Sequence, residues 1–321
     1  VGIPDRFART LPGVRVVAAP ETADLDLPTA PGESRVFVWQ RPILKFPDHI
    51  PNLRAVIRRG YLLVVERDDY PFRPEYAENR YLSFRGAHAV QTSTEALAEV
   101  LRQWNPNVAV FPNQLATLPP PRRYDDQAPV TVFFGALNRG EDWRPLIPAL
   151  NAVLGERRGR VAVQVVHDRE FFEALDCPDK RFEPTAPYAR YLSLLRGCDV
   201  ALLPLSDTLF NRCKSDIKFL ECSAHGVAVL ASPVVYGASV LDGETGLLFR
   251  DEEEFADRLG RLLDDRTLRR GLAARAYGHV RRNRMMAQHF RRRIDWYREL
   301  LDRLPALNAE LRERVPEIWG G

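Results

Sequence analysis

Short apolar runs alternate with stretches of helical period along most of this chain. Residues 35–39, 61–65, 87–91 and 107–111 read as strands, and residues 14–18 as a further short one. Between them, residues 49–59 carry helical spacing and stop at Gly60. A helix running to Trp104 follows Ser93 and Thr94, either of which can cap it. A second series starts at residue 130. Its strands are expected at 130–134, 161–166, 200–203 and 227–231, and its helices at 144–154, 188–196, 215–225, 255–263 and 267–280. Strand, helix, strand order implies parallel sheets. The expected fold class is therefore α/β, with two Rossmann-like parallel-sheet lobes facing each other across a cleft, the first lobe short.

Residues 116–129 hold four prolines and the polar run Arg122-Arg-Tyr-Asp-Asp-Gln127, which reads as a linker. The expected division is a first lobe at 1–115, the linker at 116–129, a second lobe at 130–283 and C-terminal helices at 284–321.

Composition narrows the function classes. The chain of 321 residues suits two domains. No apolar run approaches the roughly 18 to 20 residues that a membrane helix needs. The chain opens on Val1-Gly2, without Met and without a signal segment, so a longer parent polypeptide is expected. Cys177, Cys198, Cys213 and Cys222 form no CxxC pair, which fits a reduced, cytoplasmic setting. The six histidines lack ligand spacing, and no metal site is expected. Net charge is only +3, but Arg281, Arg282, Arg284, Arg291, Arg292 and Arg293 crowd together. Such a run admits peripheral contact with an anionic membrane. Met285, Met286, Phe290, Ile294 and Trp296 recur at helical spacing within it, so a solvated helix face is expected, and no nucleic-acid partner.

The segment 210–221, Phe-Asn-Arg-Cys-Lys-Ser-Asp-Ile-Lys-Phe-Leu-Glu, carries the densest candidate chemistry. Ser215 suits an N-cap, and a helix start presents free N–H groups to an anion. Lys214 stands at its mouth. Lys218 and Glu221 are three apart, so they share a helix face. A cation near a helix start opposes the dipole, which makes sense if an anion binds there. The plain alternative is a solvated Lys–Glu pair.

Here the sequence resembles a known family. Cys-Asp-Val-Ala-Leu-Leu-Pro at 198–204, Glu221 with Gly-Val-Ala-Val-Leu-Ala-Ser at 226–232, and Asp-Gly-Glu-Thr-Gly-Leu-Leu at 242–248 are similar to the donor lobe of GT-B-fold glycosyltransferases, nearest the family 4 type. The likeness implies a nucleotide-diphosphate sugar as donor substrate, no cofactor, metal-independent and retaining transfer, and a glycan, lipid or protein acceptor. It implies that Glu221 bonds the ribose hydroxyls. The family's second Glu, eight positions earlier, is Cys213 here, and Asp216 or Asp207 are the candidate stand-ins. The family's diphosphate-holding Arg and Lys fall at Ala136 and Glu141. Gly135, Asn138, Arg139, Lys214, Ser215 and Lys218 are therefore the residues expected to supply the phosphate site. His167, at a strand end, and Asp69, with Glu66 and Asp68 in the first lobe, are candidate catalytic groups. Trp143 suits either a base stack or the core. The likeness also implies that a C-terminal helix, over 284–301, crosses back to the first lobe. A non-catalytic nucleotide-sugar module and a sugar-nucleotide epimerase are the rival readings.

Overall fold

The structure, a computed structural model, describes residues 3–20, 23–71, 73–125, 129–137 and 139–320. The chain divides into two compact units. The first gathers Val1–Asn113, Cys213–Ser215 and Met286–Gly321, and the second Gln114–Arg212 and Asp216–Met285.

In the first unit, β1 (Arg35–Gln40), β2 (Tyr61–Glu66), β3 (Ala89–Thr92) and β4 (Val108–Val110) form a parallel sheet in sequence order. Its two faces bury alternate residues, as the pleat requires. Leu63, Val65 and Val90 pack with Leu53, Phe84 and Leu101 on one side. Leu62, Val64 and Ala89 pack with Leu300 and Leu307 on the other. Those two leucines come from the helices Met286–Asp302 and Leu304–Arg314. The end of the chain thus covers one face of the sheet that the beginning builds. Thr94 is the cap of helix Glu95–Arg102, accepting from the Leu97 amide at 3.3 Å. Residues 14–18 form no strand, contrary to their pattern. They run as irregular chain, and Val17 is exposed. Apolar alternation makes a strand only where a neighbouring ladder pairs with it.

The second unit holds β5 (Val130–Gly135), β6 (Val161–Val166), β7 (Lys180–Glu183), β8 (Val200–Leu203), β9 (Ala228–Ala231) and β10 (Leu247–Leu248). Every pairing is parallel, in the order β10-β9-β8-β5-β6-β7. Val132, Phe134, Val163, Val165 and Leu230 enter one core, and Phe133, Val166, Leu203 and Val229 the other. A sheet buried on both faces reads as a continuous apolar run, which is why its central strands are legible in the sequence. β7 is a polar Lys-Arg-Phe-Glu edge strand, and β10 lies inside a segment that reads as a turn, so neither has that signature. The strand order reverses between β5 and β8. Open parallel sheets bind ligands outside the carboxyl ends of their strands at such a switch point.

The proline-rich segment packs onto this second unit. Arg122 donates to the Cys198 carbonyl and to Asp199, and the Tyr124 hydroxyl to the Gly226 carbonyl at 2.7 Å.

Candidate functional site

A cavity of about 380 Å³ opens at the carboxyl ends of β5 and β6, lined by Gly135, Ala136, Leu137, Arg139, His167, Ala186, Tyr188, Tyr191, Ile217, Lys218 and Glu221. Each part follows from the sheet order. Gly135 ends β5, His167 follows β6, the two tyrosines sit on helix Tyr188–Arg196 after β7, and Lys218 and Glu221 sit on helix Ile217–Ala224 after β8. A side chain at position 135 is sterically barred, because its Cβ would lie 2.6 Å from the Phe133 ring and 2.9 Å from that of Tyr191. The bare glycine lets its carbonyl accept from Lys218 Nζ at 2.5 Å. His167 holds a left-handed backbone, φ 78°, uncommon for a residue with a side chain. Its Nδ1 is 3.3 Å from the Pro184 carbonyl. A proton on Nδ1 makes that bond and leaves Nε2 an acceptor.

Lys218 and Glu221 are not a solvated pair. Glu221 is only 6% exposed, and its Oε1 accepts from the Tyr188 hydroxyl at 2.8 Å. Burial pushes its carboxyl above the usual range, against the pull of that hydrogen bond and of Lys218. Burial pushes the Lys218 amine down, with Glu221 opposing. Lys218 Nζ also lies over the Tyr191 ring, 5.3 Å from its centroid. Desolvation thus disfavours the charged form of both groups.

Arg139 is held from below. Its guanidinium donates to Asn211 Oδ1 at 2.9 Å and to Asp142 at 3.3 Å. Asp142 Oδ1 accepts from Asn211 Nδ2 at 2.7 Å and from the Ser206 amide at 2.8 Å. This buried network ties the loop leaving β5 to the loop leaving β8, across the switch point.

The structure sorts the sequence candidates. Gly135, Arg139, His167, Lys218 and Glu221 come together at the cavity. Asn138 lies outside the described residues. Lys214 and Ser215 do not line the cavity and belong to the first unit. Ser215 is not the helix cap. Asp216 holds that position, the helix begins at Ile217, and Ser215 Oγ accepts from Asn113 at 2.7 Å. The chain passes from the first unit to the second between Ser215 and Asp216. Cys213 is fully buried in the first unit's core with Leu97 and Leu101. Neither proposed stand-in for a carboxylate there is available to the cavity. Asp216 is gripped by Arg284 at 2.7 and 2.9 Å, and Asp207 pairs with Arg212. Trp143 is core, 3% exposed, and donates to Asp168 at 3.0 Å. In the first unit, Asp69 pairs with Arg41 at 3.3 Å, and Glu66 accepts from Gln40, Gln91 and Arg293. Tyr188 and Tyr191 are the site residues that sequence reasoning missed. Their helix is legible, but which of its faces meets the cavity is not.

Among the described residues no helix is long and apolar enough to cross a membrane.

The family described as "Glycosyl transferase-like" matches residues 144–296. The chain is 36% identical over 102 residues to a D-inositol 3-phosphate glycosyltransferase of Nocardia farcinica, covering 31% of this chain and 22% of that protein. The fold resembles that of TarM, with a TM-score of 0.62 and 10% identity, over 83% of this chain and 54% of TarM. It also resembles sucrose-phosphate synthase from Thermosynechococcus elongatus, with a TM-score of 0.57 and 16% identity, over 83% of this chain and 74% of that one. The chain therefore spans about a fifth of the curated relative and about half of TarM. The chain shares its two-lobed α/β fold with TarM and sucrose-phosphate synthase, and its residues 144–296 match the model of the glycosyl transferase-like family.

Proposed function

We propose that the second unit binds a nucleotide-diphosphate sugar and that the protein transfers its sugar to an acceptor. The observation that carries this reading is that Lys218 and a buried, hydroxyl-bonded Glu221 line one cavity at the switch point of a parallel sheet. Glu221 offers two oxygens to neighbouring ribose hydroxyls. Lys218 and the braced Arg139 line the same cavity and would meet a diphosphate bound there. As the sugar leaves, negative charge builds on that diphosphate, and cations fixed beforehand stabilise it. The same pair makes metal-independent transfer the expected mode. A TarM variant has been solved with UDP, which makes UDP-sugars the first donors to try. Retention of configuration rests on the family resemblance alone.

A thermal-shift screen of the purified protein against UDP-, GDP- and dTDP-sugars tests donor binding. Stabilisation by one of these, lost in Glu221→Gln, is the expected result. No shift with any of them counts against the reading. One observation favours a second reading, a non-catalytic nucleotide-sugar module: neither Asp216 nor Asp207 is free to replace the carboxylate absent at Cys213. Release of free sugar or of glycosylated product from a bound donor separates the two.

A further inference from the structure

Tyr188 is the most exposed aromatic at the cavity. The residue is 60% exposed, yet its hydroxyl is fixed on Glu221 Oε1 at 2.8 Å. Tyr188 opens helix Tyr188–Arg196, and an exposed ring at that position can swing aside with little loss of packing. Burial and the neighbouring Glu221 charge push its phenol above the usual range, so it remains a hydrogen-bond donor through neutral pH. A phenol and a ribose hydroxyl offer the same thing to a carboxylate, one O–H donor.

We propose that Tyr188 is the internal occupant of Glu221, exchanged for a ribose hydroxyl when a nucleotide binds, and that it sets how strongly the site prefers ribonucleotides over 2′-deoxyribonucleotides. The inference rests on the donor-site reading above. The exchange replaces one hydrogen bond with another, so the net gain from the ribose hydroxyl is small. Without the phenol, a buried carboxylate oxygen is left short of a donor, and the ribose hydroxyl then counts in full. Removing the Tyr188 hydroxyl should therefore tighten binding. A merely structural hydrogen bond gives no such gain.

The test is calorimetric titration of the protein and of Tyr188→Phe with UDP and with 2′-deoxy-UDP, with melting curves to confirm folding. The phenylalanine variant is expected to bind UDP about tenfold tighter, with 2′-deoxy-UDP affinity changed less than about threefold. Equal or weaker UDP binding by the variant overturns the exchange alone. Absence of binding by both proteins to UDP, GDP and dTDP alike overturns the donor-site reading, and the exchange falls with it.

Discussion

Replacing Lys218 with Met removes an amine while keeping a long apolar stem. That amine donates to the Gly135 carbonyl at 2.5 Å and lies 3.4 Å from the Tyr191 hydroxyl. A bound diphosphate would add a charge-assisted hydrogen bond, a class of contact that contributes about 1.5–3 kcal/mol. Its loss weakens binding by about 10- to 150-fold. The pH dependence is more diagnostic. Burial holds the Lys218 pKa below its ordinary 10.5. A diphosphate alongside would raise it again. Between the lowered free value and the higher bound value, binding takes up a proton, so affinity falls as pH rises through the free value. Titration of UDP against the wild-type protein and Lys218→Met from neutral to alkaline pH measures both effects. The nucleotide's own ionisation is common to the two and cancels in the comparison. The Gly135 carbonyl loses its donor in the variant, so melting curves must accompany the titration. A variant that binds UDP within twofold of wild type, with the same pH slope, would refute the assignment of Lys218 to the diphosphate.

Asp142→Ala leaves the Arg139 guanidinium without its buried carboxylate and is expected to cost about 3 kcal/mol in urea unfolding. An unchanged midpoint would show that the network braces nothing. His88 is buried, with Nδ1 accepting from the Leu63 amide and Nε2 against Asn308, and burial pulls its pKa from 6.5 down to about 4. The unfolded chain therefore binds the proton more readily. His88 adds no penalty above about pH 6.5, and stability is lost as pH falls from there towards 4, by up to about 3 kcal/mol. Denaturant unfolding between pH 7.5 and 4.5 should show this slope, and His88→Gln should flatten it. Truncation after Met285 strips Leu300 and Leu307 from the face of β2 and β3 that holds Leu62, Val64 and Ala89. The first unit should then lose its protease-resistant core, and a stable fragment spanning residues 3–113 would contradict this.

The sequence by itself determined the strands buried on both faces, the helices between them and the parallel arrangement. Runs such as Val161–Val166 are apolar at every position but one because both faces of β6 are covered. Lys218 and Glu221 were legible as neighbours on one helix face, and the family resemblance added Gly135 and Arg139; all four line the one cavity. Tertiary structure decided what was local only in appearance. The run of residues 213–218 is continuous in sequence, but Cys213 to Ser215 pack in one unit and Lys218 lines a cavity in the other. Sequence spacing alone had joined Lys214, Ser215 and Lys218 into one phosphate site. Likewise, part of the basic run near the C-terminus is consumed by internal partners, Arg284 on Asp216 and Arg293 on Glu66, that lie 68 and 227 residues away. Tyr188 became a site residue only when the helix after β7 placed its hydroxyl on Glu221, 33 positions further on. Periodicity fixes which residues of one element share a face. Which element that face meets is set by sheet order and packing across distant segments, and no short window of sequence contains them.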